Sequence, residues 1–296
     1  MNSTCSASRF GRFLAALCGL LSFAAPAGAQ TSNFLELAGQ VTDAATGQPL
    51  PYASVGVLGR PAGTVADEQG RFRLAVPAAY NADSLRIALV GYRPYTSTVQ
   101  AFRQRRCPAG APCPVALAAA PQTALREVTV RPGKQVRRVL GNSSNSKTIS
   151  GGFSQDKNKL GYQIGQLIKI RRPALLEQVS FHVNECTYDS LFYRVNVYAL
   201  QGKQPARNLL PEPVYVRVQK GKIENRIAVD LRRYNLWLDD DVVVALELVK
   251  DLGPGHLYLT CTLLGGPIYA LENVGGPWEF IGVFGVGIDA TVTEYR

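Results

Sequence analysis

The sequence is short of the groups that most chemistry needs. It has only two histidines, His182 and His256, and no Cys-x-x-Cys pair, so the common donor spacings of a zinc site are missing. It has no Gly-x-Ser-x-Gly elbow, P-loop or dinucleotide fingerprint, which argues against the α/β-hydrolase, nucleotide-hydrolysing and nicotinamide-dependent classes. After residue 25 no run reaches the ~18 apolar residues that a membrane-spanning helix needs. Negative charge is nearly absent from residues 131–160, where Asp156 stands alone against seven Lys and Arg.

What is present begins with the N-terminus. Arg9 and Arg12 precede an apolar run over residues 13–25, and Pro26-Ala-Gly-Ala29 ends in a small-x-small pattern before Gln30. This pattern predicts a secretory signal peptide over residues 1–29, cleaved after Ala29. Retention of the run as an anchor is the alternative. Lipidation of Cys18 is set aside because Leu17 stands where a small residue is needed. The remaining chain is expected to be exported, to the periplasm or the cell surface, with no transmembrane segment.

Six cysteines are present, and Cys5 and Cys18 leave with the signal. The four that remain suit an oxidising compartment. Cys107 and Cys113 flank Pro-Ala-Gly-Ala-Pro, a turn-rich loop, and are expected to form a local disulfide. For Cys186 and Cys261 two readings stay open, a bridge or a buried free thiol at Cys261, which falls on the apolar side of the alternating run 257–263.

Formal charge is +10. Much of the excess lies in residues 131–160, with Arg131, Lys134, Arg137, Arg138, Lys147, Lys157 and Lys159. The same stretch holds Gly141-Asn-Ser-Ser-Asn-Ser146 and reads as a basic polar linker over residues 131–155. Its charge would keep it solvated and extended, or draw it to anionic envelope lipid or polysaccharide. A nucleic-acid role is not expected, since Phe153 is its one aromatic and no folded basic face is implied.

Residues 34–130 read as strands at 35–42, 51–57, 63–65, 71–76, 85–90 and 92–99, and close on Leu125-Arg-Glu-Val-Thr-Val130. In 71–76, Phe72, Leu74 and Val76 share one face. Asp67-Glu-Gln-Gly70 is a turn, with Gly70 free to take positive φ and Asp67 to cap the backbone; it lacks the alternating acids of a calcium loop. Short strands at this spacing, without helical period, indicate a sandwich.

The motifs Gln40-Val-Thr-Asp-Ala-Ala-Thr-Gly-Gln-Pro-Leu-Pro-Tyr-Ala-Ser-Val55 and Asp67-Glu-Gln-Gly-Arg-Phe72 resemble those of the carboxypeptidase-regulatory-like domain. The resemblance implies a seven-stranded β-sandwich with no catalytic residues of its own. In metallocarboxypeptidases such a domain follows the catalytic one. In many Gram-negative envelope proteins it comes first, often ahead of a TonB-dependent receptor, but too few residues follow here for a plug and a large barrel. The segment around Cys107 and Cys113 departs from the pattern.

Residues 156–296 predict about nine further strands, at 162–170, 176–185, 191–200, 214–218, 226–231, 242–249, 257–264, 268–271 and 279–293. That number favours a larger, jelly-roll-like β-sandwich. The phrases Leu191-Phe-Tyr-Arg-Val-Asn-Val-Tyr198 and Tyr234-Asn-Leu-Trp-Leu238 are similar to jelly-roll segments paired with regulatory-like domains in exported bacterial proteins. The fold expectation is therefore all-β throughout.

Three groups of residues remain as chemical candidates. His182-Val-Asn-Glu185 with distant His256 imitates a zinc-carboxypeptidase ligand set, but His182 and Glu185, three apart on a strand, should face opposite sides. They read more simply as a sheet-surface histidine and a strand-end glutamate. Asp239-Asp-Asp241 reads as a solvated turn, or as a structural calcium site of the kind jelly rolls hold near strand ends; no other cofactor is expected. Trp278, in the loop Gly275-Gly-Pro-Trp-Glu279, and Trp237, alternating with Leu236 and Leu238, are candidate platforms for a sugar ring, although core packing is the commoner fate of such residues. The functional expectation is a non-catalytic, exported binding or docking module for a glycan, peptide or outer-membrane partner. The alternative is a metallopeptidase-like or glycan-active hydrolase with its site in the C-terminal domain.

Overall fold

The computed structural model describes residues 33–107, 112–121, 134–154, 159–219 and 221–295. The expected signal peptide and the closing segment 125–130 lie outside the described residues.

The N-terminal module contains β1 (Phe34–Asp43), β2 (Ser54–Val57), β3 (Gly63–Val65), β4 (Arg71–Pro77), β5 (Ser84–Ala88), β6 (Tyr95–Thr98) and β7 (Pro114–Leu117). Two sheets result, ordered β4-β1-β7 and β3-β2-β5-β6. The alternation in β4 buries Phe72 and Val76 and exposes Arg71 and Arg73. These inward residues meet Leu37, Val55 and Ile87 in an apolar core. In the predicted turn, the Asp67 carboxylate accepts the N–H groups of Gln69 and Arg71 at 2.9 and 2.8 Å, and Gly70 takes φ +70°.

Two features of this module were not expected. The predicted strand 92–99 is shorter, because the chain turns into helix α1 (Val99–Arg103). Thr98 caps it by accepting the Ala101 N–H at 3.0 Å, and Val99 and Phe102, three apart, bury the same face. The second is β7, which pairs in parallel with β1. It follows directly on the Cys107–Cys113 disulfide, whose two halves are 6 residues apart. The departing segment thus delivers the seventh strand.

The larger module starts earlier and has more strands than the sequence suggested. It comprises β8 (Gln135–Gly141), β9 (Ile149–Ser154), β10 (Gln163–Ile168), β11 (Ala174–Cys186), β12 (Ser190–Gln201), β13 (Gln204–Asn208), β14 (Val214–Gln219) and β15 (Arg226–Asp230). It continues with β16 (Leu236–Leu238), β17 (Val242–Leu248), β18 (His256–Leu263), β19 (Ile268–Leu271), β20 (Trp278–Ile281), β21 (Phe284–Val286) and β22 (Ile288–Tyr295). One sheet runs β13-β12-β17-β10-β19-β20, with β14 also on β12; the other runs β21-β18-β11-β22-β8, with β15 and β16 on β11 and β9 on β18. Successive strands cross repeatedly between the sheets, as a jelly-roll-like sandwich requires. Phe153, Ile168, Phe181, Tyr193 and Val244 fill the space between them.

The linker expectation for residues 131–155 is corrected by β8 and β9. β8 pairs along its whole length with β22, and β9 with β18. Two of the seven cations that suggested a self-repelling spacer are partnered: Arg137 meets Glu177 at 3.0 Å and Arg138 meets Glu294 at 3.1 Å. Phe153, the lone aromatic, is fully buried.

The two modules share a junction core. Tyr52 and Val65 from the first pack with Phe192 and Val249 from the second. The Tyr52 ring lies 4.9 Å from Phe192 and 5.4 Å from Tyr215. Gly56 and Gly63 face each other across β2 and β3, and Val274 sits on them: a Cβ at either would fall 2.1 or 2.3 Å from its carbonyl oxygen. The Gly59 N–H donates to Gly275 O at 2.7 Å. Only glycine permits so close an approach.

Candidate functional site

The arrangement begins with β12, which is buried on both faces. Leu191, Tyr193, Val195 and Val197 point into the sandwich. The alternate residues Phe192, Arg194, Asn196 and Tyr198 point the other way, toward the N-terminal module and a polar network. Arg194 donates from Nε and Nη2 to the two Glu247 oxygens, at 2.9 and 2.7 Å. It also donates to Tyr52 O and Ser54 Oγ, each at 2.7 Å. Glu247 Oε2 accepts from Asn196 at 2.7 Å, and Asn196 donates onward to Gln163 at 3.1 Å. Burial alone would lower the Arg194 pKa, but the charge and hydrogen bonds of Glu247 outweigh it and hold it above the ordinary value. One buried guanidinium therefore ties the modules together through backbone and side-chain acceptors.

The locked body presents a basic groove of about 570 Å³ on the larger sandwich, lined by Arg138, Lys169, Arg171, Arg172, Leu264 and Glu294. Lys169, Arg171 and Arg172 are exposed and form no ion pair among the described residues. Their loop is fixed between β10 and β11: Ile170 is buried in the core, and its N–H donates to Asp241 Oδ1 at 2.8 Å. The acidic cluster 239–241 thus supplies a backbone anchor. The opposite wall is equally fixed. Buried Gln166 accepts the Val286 N–H at 2.9 Å and donates to Gly265 O at 3.2 Å. A second cleft, about 410 Å³, lies at the module junction beside Arg73, Lys159, Tyr188 and Asp251.

The histidines sit in two separate places. His182 is buried, not on the sheet surface, because residues of the β8–β9 loop cover it. Its Nε2 lies 2.6 Å from Asp289 Oδ2 and its Nδ1 2.8 Å from Asn145 Oδ1. Both ring nitrogens are thus engaged, and neither partner is a hydroxyl or thiol nucleophile. Glu185 turns instead to His256, 3.4 Å away, past an irregularity in β11 between Val183 and Glu185. Among the described residues no group of three or more His, Cys, Asp or Glu side chains is placed to hold a metal ion.

The other sequence candidates are scattered. Trp278 opens β20, half-buried, with its ring edge-on to Tyr198 at 5.4 Å. Trp237, on β16, is half-buried 5.2 Å from Tyr295. The two belong to different sheets and do not form one platform. Among the remaining aromatics, Tyr188, Tyr193, Tyr234 and Tyr269 are buried. Cys107 and Cys113 form the expected disulfide, while Cys186 and Cys261 are free thiols. Burial pushes the Cys261 thiol up to about 11.

Sequence reasoning passed over both the junction and the groove. Arg194 and Glu247 lie in strands read correctly, but nothing local marks them as partners 53 residues apart. The expected strand 162–170 takes in Lys169 and Ile170 and stops before Arg171 and Arg172, although the charged-apolar-charged pattern of Lys169-Ile-Arg-Arg172 is a signal for an exposed basic turn.

The fold is thus that of a two-module all-β protein, with buried polar groups in the larger module. A CarboxypepD_reg-like domain model matches residues 37–107, and the chain carries that domain at this position. The match ends at Cys107, so β7 and the larger sandwich lie outside it. Comparison with curated proteins gave no match.

Proposed function

We propose that this is a non-catalytic, exported binding or docking protein of a Gram-negative cell envelope. The CarboxypepD_reg-like sandwich is a rigid spacer, and the larger sandwich carries the face that meets a glycan, peptide or outer-membrane partner. The observation that carries this reading is the groove: three exposed cations without ion-pair partners among the described residues, held at fixed positions by Ile170, Asp241 and Gln166. Such a surface favours an anionic partner and binding that weakens with salt.

The test is retention on isolated Gram-negative envelopes and on a glycan array, with and without calcium. Binding lost in the Lys169→Glu/Arg171→Glu/Arg172→Glu variant supports the reading, and retention equal to wild type overturns it. Loss in Trp278→Ala instead would move the site to that ring. The alternative is a hydrolase in the larger module, for which His182 and Asp289, 2.6 Å apart, are the acid–base candidates, although Asn145 covers the ring. Hydrolysis of an envelope peptide or glycan that disappears in His182→Ala, with the fold retained, would establish it.

A further inference from the structure

The groove has an apolar lip that a purely electrostatic site does not need. Leu263, Leu264, Phe280, Ile281 and Val283 are all exposed, Leu264 to 82 %. They form one edge: the Leu264 N–H donates to Val283 O at 2.8 Å, Leu263 pairs with Phe284, and Ile281 pairs with Ile268. Leu264 also takes φ +59°, where glycine or asparagine would fit without strain. It lines the same groove as Lys169, Arg171 and Arg172.

We propose that this end of the larger sandwich docks on an anionic lipid bilayer, with the lip entering the interface and the three cations meeting lipid phosphates. The inference rests on the binding reading above and names its partner. Charge complementarity alone would allow a soluble polyanion. Such a polymer gives no apolar phase in which to bury five hydrocarbon side chains, whereas a bilayer supplies both phases side by side. A two-fold contact between copies would bring like-charged clusters together across the axis. Glu294 is the one acid among the described residues that line the groove, and it is paired to Arg138, against the three further cations Lys169, Arg171 and Arg172.

The experiment is co-sedimentation of residues 30–296, which include the whole compact unit Asn33–Arg296, with two kinds of vesicle. One is phosphatidylcholine alone; the other contains added phosphatidylglycerol. Alginate serves as a lipid-free polyanion. The protein should bind the phosphatidylglycerol vesicles in a salt-sensitive way. At about 1 kcal/mol per basic residue, loss of the three cations alone amounts to roughly 100-fold, so reversing Lys169, Arg171 and Arg172 should weaken binding by more than that. Val283→Ser, an uncharged change in the lip but outside the groove lining, should weaken it by roughly tenfold while leaving alginate binding unchanged. Binding to vesicles and alginate that is equally tight and indifferent to Val283→Ser overturns the lipid proposal and leaves a polyanion-binding groove. Absence of binding to either probe overturns both. A dimer dissociated by Phe280→Ser overturns the proposal in favour of self-association.

Discussion

The two sandwiches treat polar groups in opposite ways. In the N-terminal module every buried core side chain is apolar, and its carboxylates work at exposed turns, as Asp67 does. The larger module holds all the buried polar and charged side chains among the described residues, including Arg194, Glu247, His182 and Asp289. A dry core needs only correct alternation and volume, and many sequences satisfy it. A buried ion network must be satisfied partner by partner, which makes it costly to disturb and specific in geometry. The first module is thus the generic scaffold, and the second carries the information.

The sharpest way to break this comparison is to remove one partner of the junction pair. Glu247→Ala strands a buried guanidinium and is expected to cost about 3–5 kcal/mol. Urea unfolding would check it, and a loss below about 1 kcal/mol would mean that the network is not tightly held. Next is Gly56→Ala, which places a methyl against Val274 O. Overpacking there should cost about 1–3 kcal/mol and make the chain between the modules more susceptible to protease. A protected junction in that variant would refute the close seating of Val274.

Alkaline pH probes the same junction more gently. Burial first, and then the nearby Glu68 charge, push the Tyr52 hydroxyl up to about 12 from its ordinary 10. A raised pKa means that its stabilisation is complete below pH 10 and lost as pH climbs through about 12. Tyr52→Phe should reduce the steepness of the pH–stability curve in that window. A profile identical to wild type would show that the hydroxyl does not couple to folding. The smallest effect belongs to the scaffold: Arg60, which meets Asp83 at 2.7 Å in a partly exposed pair, should lose only about 0–1 kcal/mol as Arg60→Ala.

The same contrast governs what could be read from the chain. Alternation placed β1, β3, β4 and β11 closely, since a half-buried strand writes its inward face into every second residue. It missed β16 and β13, which are short and flanked by polar residues. It misread β8 and β9 because Arg137 and Arg138 look like linker charge until Glu177 and Glu294 are brought opposite them by other strands. It also placed His182 on a surface, since the cover from Asn145 comes from a loop 37 residues away. The basic groove combines residues of β8, the β10–β11 loop and the β18–β19 turn, so no local pattern announces it. Pairing across the fold is the part that sequence periodicity does not contain.

The central claim, that binding belongs to the basic end of the larger sandwich, is tested most directly by equilibrium binding to isolated envelopes. Wild type would be compared with two charge-reversed variants of equal net charge. Reversing Lys169, Arg171 and Arg172 should lower affinity by more than roughly 100-fold. Reversing Arg71, Arg86 and Arg103, exposed cations of the N-terminal module, should leave it near wild type. Equal losses in both variants, or a loss confined to the second, would contradict the account.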